Sequence, residues 1–183
     1  MSAPAPAQSS LPASATKVSI ADYLIVSILL TAYCIGLAFA IHPGHSPSPS
    51  PERLIAPMEA LVAVTAVVWL LMVGFRNGTI LWGVTHPGYY RDYTSHQPPE
   101  WVERPARAFN NLLQAPILFY VICLLMMVTG RLDESQITLA WVYVAMRVVH
   151  AVIYLGWNYV PFRFASWVAS CITLGVLWWR FAL

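Results

Sequence analysis

The chain has 183 residues, of which 58% are hydrophobic and 10% charged, with a net charge of +2 and a mean hydropathy of +0.62. Soluble domains carry about 25% charged residues, so this composition belongs in a bilayer. No Lys/Arg-rich tract is present, which argues against nucleic acid as a partner.

Residues 1–16 are rich in Ala, Pro and Ser and carry no charged side chain. They cannot bury a core and are expected to form a disordered tail. Residues 18–41 make the first apolar run, long enough for about 30 Å of hydrocarbon. Ser19 and Asp22 read as a capping-box start. Ala38-Phe39-Ala40 is similar to a signal-cleavage site, but the run is long for a signal segment and only Lys17 precedes it. It is read as a retained span.

A Pro/Ser-rich loop, His42 to Pro51, follows. His42 and His45 have no third ligand nearby, which favours interfacial histidines over a metal site. The second span is Leu54 to Phe75, with Pro57 in its first turn and Glu59 a turn inside. Arg76 to Glu100 is the one long loop. It holds Trp82, Tyr89, Tyr90 and Tyr93 among prolines. Such a loop reads either as a lid over a site or as an anchor in the headgroup layer, and the anchor is the simpler reading. His86, Asp92 and His96 have no metal-site spacing.

The third span, Trp101 to Gly130, organises the rest. It carries Arg107, Asn111 and Gln114 within roughly 60° of one helix face and about 10 Å of its length. A cation and two amides at that depth cost free energy unless something pairs with them. Pro116 is expected to kink the span by freeing the carbonyl of Leu112. Asp133 and Gln136 make a second capping box. The fourth span runs from Ile137 to Trp157 with Tyr143, Arg147, His150 and Tyr154 on one stripe. After the turn Asn158 to Pro161, Arg163 opens the fifth span. Cys34, Cys123 and Cys171 each sit in an apolar run without a CxxC pair, which argues against disulfides or zinc.

Five spans put the N-terminus, the long loop and the turn before Arg163 on one side. Lys17, Arg76, Arg91, Arg104 and Arg163 lie there, against Arg53, Arg131 and Arg180 on the other. The bias places the N-terminus in the cytoplasm. Topology then brings Arg107, Asn111, Gln114, Arg147, His150, Tyr154 and Arg163 toward one end. Simpler readings exist for each: an i,i+4 pair of Glu103 with Arg107, interhelical bonds from Asn111 and Gln114, an interface role for Tyr154. Taken together they form a pocket with three arginines, suited to an anionic ligand with carboxylates.

At these residues the chain resembles the MAPEG family, membrane-associated proteins of eicosanoid and glutathione metabolism. The family pattern E-R-x-x-R-A-x-x-N-x-x-E reads here from Glu103 and Arg104 through Arg107, Ala108 and Asn111 to Gln114. A later R-x-x-H/Y-x-x-x-Y, followed by an arginine, reads as Arg147, His150, Tyr154 and Arg163. The resemblance covers about Ile55 to Leu183 and implies an all-α membrane bundle, with the MAPEG-like domain drawn at residues 54–183. That bundle is a four-helix MAPEG-like unit with one extra N-terminal span at 18–41.

The resemblance also implies a homotrimer that binds glutathione as co-substrate between subunits and acts on a hydrophobic small molecule from the bilayer. Arg107, Asn111, Gln114, Arg147, His150 and Tyr154 would bind glutathione, and Arg163 would stabilise its thiolate. Two departures bear on this. Gln114 stands where the family has a glutamate, and the extra span has no counterpart in the usual unit. The expected activity is a glutathione-dependent transferase or peroxidase. The alternatives are a non-catalytic lipid- or ligand-binding member and a structural subunit of a membrane complex.

Overall fold

A computed structural model of the chain describes residues 18–41, 49–94 and 97–183. The tail at 1–16, Lys17, the loop histidines His42 and His45, and His96 lie outside them. Among the described residues the chain is all-α: α1 (Ile20–Ala40), α2 (Ile55–Leu81), α3 (Tyr89–Asp92), α4 (Glu100–Thr129), α5 (Glu134–Leu155) and α6 (Val160–Ala182). All but the single-turn α3 are long and apolar enough to cross a membrane, with a 3-10 turn, Pro51–Leu54, leading into α2.

Both capping boxes form. Ser19 and Asp22 close the start of α1, and Asp133 and Gln136 that of α5, each pair exchanging side-chain bonds with backbone N–H groups. Gly130 ends α4 in the left-handed conformation at φ 67°, open to glycine without a Cβ penalty. α4 runs on through Pro105 and Pro116 as one helix of 30 residues, about 45 Å long, so its first turns reach beyond the hydrocarbon.

α2 outruns the expected span, continuing past Phe75 to Leu81. The polar turn that reads as loop bonds back to its own helix: Asn77 Nδ2 donates to the Val73 carbonyl at 2.9 Å and Thr79 Oγ1 to that of Phe75 at 2.7 Å. Arg76 is held there by Glu103, with Nη2 3.2 Å from Oε2.

The helices alternate in direction. Ends of α2 and α5 meet starts of α4 and α6 at one end of the bundle, through Arg76–Glu103 and Arg104–Gly156. At the other end Arg53 pairs with Glu134, and Arg180 with Asp133 at 2.6 Å. The core lies between α2, α4, α5 and α6. Leu54, Leu61 and Val68 fall every seventh residue and meet Leu112, Phe119 and Met126 of α4. Most outward positions are apolar too, such as Val67, Leu70, Ile117 and Val121, as a bilayer solvent requires.

α1 lies along α6 on the outside of this unit, burying only Val26 and Leu37. It runs parallel to α6: Asp22 bonds the Tyr159 hydroxyl near one end, and the Tyr33 hydroxyl bonds Thr173 further along. Between them a hollow of about 310 Å³ is lined by Leu29, Leu30, Met146, Phe162, Ala165 and their neighbours.

Candidate functional site

The seven site residues of the sequence fall into three groups within one chain. The first is internal. Arg147 on α5 has 0% relative exposure, and its Nη2 donates to the Asn111 backbone carbonyl on α4 at 3.0 Å and to Asn111 Oδ1. Arg147 Nε and Nη1 are buried without a hydrogen-bond partner. Phe119 stacks on Tyr143 beside it, ring centroids 4.5 Å apart. The carbonyl that takes the guanidinium is one residue before Leu112, whose own carbonyl Pro116 frees.

The second group joins α5 to α6. The Arg163 guanidinium lies over the Tyr154 ring, 4.4 Å from its centroid. A cation in that position is held by the negative face of the ring. Arg163 Nη1 donates to Asn158 Oδ1, and the Arg163 carbonyl faces His150 Nδ1 at 3.0 Å. Ser166 Oγ donates to the same carbonyl at 2.9 Å. His150 packs edge-on to Tyr154, and its Nε2 is buried without a partner. One helical turn separates His150 from Tyr154 on α5, so both face the first turn of α6.

The third group lies on the outer face of α4, where Arg107 and Gln114 are exposed. Neither forms a hydrogen bond or ion pair with another described residue. Glu103, four residues before Arg107, turns instead to Arg76. A three-arginine pocket is therefore not closed by a single chain: Arg147 faces inward, Arg163 toward the α5–α6 turn, and Arg107 outward.

Asn110 joins this outer group and sequence reasoning passed it over. It is exposed at the i+3 position from Arg107, on the face shared with Gln114 at i+7. The signal was present in the repeat of polar residues at 107, 110, 111 and 114. Beside the stripe an apolar hollow of about 420 Å³ opens between α2 and α4, lined by Thr65, Trp69, Phe109, Leu113, Ile117 and Tyr120 among others.

Two further residues escaped the sequence reading, Glu100 and Asn158. Asn158 Nδ2 donates to Glu100 Oε1 at 3.1 Å, and Arg104 Nε lies 3.4 Å from the same oxygen. Polar side chains in turns are ordinary in sequence, so nothing marked this pair beforehand.

The long loop packs across the same end. Tyr89 is buried and meets Tyr90 and Tyr93 edge-on, and Arg76 lies over the Tyr90 ring at 4.9 Å. Burial, and after it the Glu103 carboxylate, raises both the Tyr89 and Tyr90 hydroxyls above the usual tyrosine value, so they stay neutral at physiological pH. The loop meets the bundle at the end of α2 through this Tyr90–Arg76 stacking. Among the described residues no three His, Cys, Asp or Glu gather as a metal site.

Comparison with protein families gives one match, to the MAPEG family over residues 54–183, which leaves α1 outside. No curated protein and no solved structure matches the chain.

Proposed function

Because the chain belongs to the MAPEG family, a multi-pass membrane protein of the glutathione and eicosanoid metabolism type, we propose that it is a glutathione-dependent transferase or peroxidase acting on a hydrophobic electrophile. The observation that carries this reading is the exposed stripe of Arg107, Asn110 and Gln114 on the outer face of α4, beside an apolar hollow. An exposed amide deeper in a span is costly and an exposed cation at its end is an anion site, and a polar anionic ligand seated between subunits of a homotrimer would partner both. Guanidinium groups grip carboxylates in a bidentate fashion, and glutathione carries two of them.

In this reading Arg107, Asn110, Asn111, Gln114, His150 and Tyr154 bind or flank the tripeptide at the cytoplasmic end, and Arg147 fixes Asn111. Arg163 lowers the thiol pKa by its charge and raises the thiolate fraction. In transfer, the sulfur lone pair forms an S–C bond to the electrophilic carbon while a leaving group departs with the bonding pair. In peroxide reduction, two glutathiones supply the electrons, giving the disulfide, an alcohol and water.

Gln114 supports a second reading, a non-catalytic ligand-binding member, since a neutral amide grips an ammonium less than a carboxylate does. Charge-assisted hydrogen bonds contribute about 1.5–3 kcal/mol against about 0.5–1.5 for neutral ones. Calorimetry with glutathione on the wild type, Arg107→Ala and Gln114→Glu separates the readings. Glutathione is expected to bind wild type, to lose at least about tenfold in affinity with Arg107→Ala, and to gain about fivefold with Gln114→Glu. No glutathione binding in any of the three would sink the transferase and leave the ligand-binding reading in its place.

A further inference from the structure

We infer that Asn158 is a positioning residue: it fixes the Arg163 guanidinium while keeping the Glu100 carboxylate from neutralising it. This rests on the role proposed for Arg163.

The backbone sets Asn158 in place first. α5 ends at Leu155, and the Asn158 N–H donates back to the Ile153 carbonyl at 2.8 Å. This closure puts Asn158 at φ 51°, the left-handed region that asparagine tolerates better than most residues.

Its side chain then bridges two opposite charges. Oδ1 accepts from Arg163 Nη1 at 2.5 Å, and Nδ2 donates to Glu100 Oε1 at 3.1 Å. Arg104 closes the circuit, with Nε 3.4 Å from Glu100 Oε1 and Nη1 donating to the Gly156 carbonyl at 2.7 Å. The first turn of α4 thus grips the α5–α6 turn at two points, Gly156 and Asn158.

The carboxamide satisfies both partners at once, because it offers an acceptor to the guanidinium and a donor to the carboxylate, whereas a carboxylate side chain offers no donor. The Glu100 carboxylate fixes which way the amide points, and so aims Oδ1 at Arg163. Its negative charge is taken up on the far side by Arg104. A carboxylate paired directly with Arg163 would cancel the field that an incoming thiol needs. Asn158 uses Nη1 alone, so the Nε–Nη2 edge stays available to an anion.

Other charged or titratable groups surround Arg163. Tyr154 and His150 face it from α5. Glu100, Arg104 and Arg107 lie on α4, and Tyr159 with its partner Asp22 of α1 sits at the start of α6. None of them bonds the guanidinium as Asn158 does.

The test uses full-length protein with Asn158→Gly, which keeps the backbone conformation and removes the amide, and Asn158→Asp, which keeps an acceptor and adds a charge. With glutathione bound, thiolate absorbance is followed against pH. Asn158→Gly is expected to raise the midpoint. Asn158→Asp is expected to raise it further, cutting the thiolate fraction at neutral pH about tenfold or more. A purely structural role predicts the reverse order, since aspartate holds an arginine at least as firmly as asparagine. A second measurement needs no glutathione: the labelling rate of Arg163 by an arginine-selective dicarbonyl, read by peptide mass spectrometry. Asn158→Gly is expected to speed labelling several-fold and Asn158→Asp is not. Labelling that follows this order in a protein that never binds glutathione keeps the positioning role and discards the glutathione reading. Unchanged labelling in both variants, or an aspartate variant with wild-type thiolate behaviour, overturns the inference.

Discussion

Among the described residues Arg147 is the most demanding, a guanidinium with no exposed surface and a single side-chain partner there, Asn111. Removing one partner of a buried charge leaves the other uncompensated, which costs more than the bond itself contributes. Asn111→Leu is therefore expected to destabilise the protein by about 2–3 kcal/mol, whereas Arg147→Met, which removes the charge with the bond, costs less. Thermal unfolding in detergent checks the order, and an Arg147→Met variant weaker than Asn111→Leu would contradict it. The sequence made both residues visible as polar groups at span depth but not as each other's partners, because they lie 36 positions apart. Glu103 teaches the same lesson. Its spacing to Arg107 allowed a helical pair, yet Arg76 at the end of α2 reaches it, leaving Arg107 free for the outer face.

At the scale of elements, local signals were the readable ones. Both capping boxes form as the sequence implied, since they involve residues three apart. The end of α2 was not readable: Arg76-Asn77-Gly78-Thr79 has the composition of a loop, and only its side-chain bonds to Val73 and Phe75 show that it stays helical. α1 poses a different question. Its few buried residues, its two side-chain bonds, from Asp22 to Tyr159 and from Tyr33 to Thr173, and the hollow beneath it make it an appendage on α6. The core of α2, α4, α5 and α6 draws only Leu37 from it. A chain starting at Ser50 is accordingly expected to keep its helical circular-dichroism signal per residue and to unfold cooperatively, with a melting temperature lower by a few degrees. Loss of cooperative unfolding would mean that α1 belongs to the core of the fold. Tyr33→Phe tests the same contact alone, and is expected to cost about 1 kcal/mol.

The whole molecule has two ends and one uncovered face. Arg76, Arg104 and Arg163 gather at the end where Asn158 lies, against Arg53, Arg131 and Arg180 at the other. We propose that the first end is cytoplasmic, so a reporter active only in the cytoplasm stays silent when fused to Leu183; strong signal there reverses the orientation. The face argument concerns assembly. α1 lies over α5 and α6, and so leaves the surface of α2 and α4 open. That open surface carries Arg107, Asn110 and Gln114 in a row that runs from the first turns of α4 toward the apolar part of the span. Among the described residues of one chain these groups find no hydrogen-bond partner, and the site residues stay divided between inner, outer and turn positions. A neighbouring copy brought against α2 and α4 covers the stripe. Where the surface it meets differs from the one it offers, the contact is head-to-tail, and it gives a closed ring when the rotation between copies closes. A ring of three is what the family resemblance implies. Native mass spectrometry from mild detergent is expected to show three chains, and to show the same for the chain starting at Ser50, since α1 lies away from the contact. A monomer that binds glutathione would remove the need for a second copy. A trimer lost on truncation would move the contact to α1, leaving the polar stripe of α4 facing lipid.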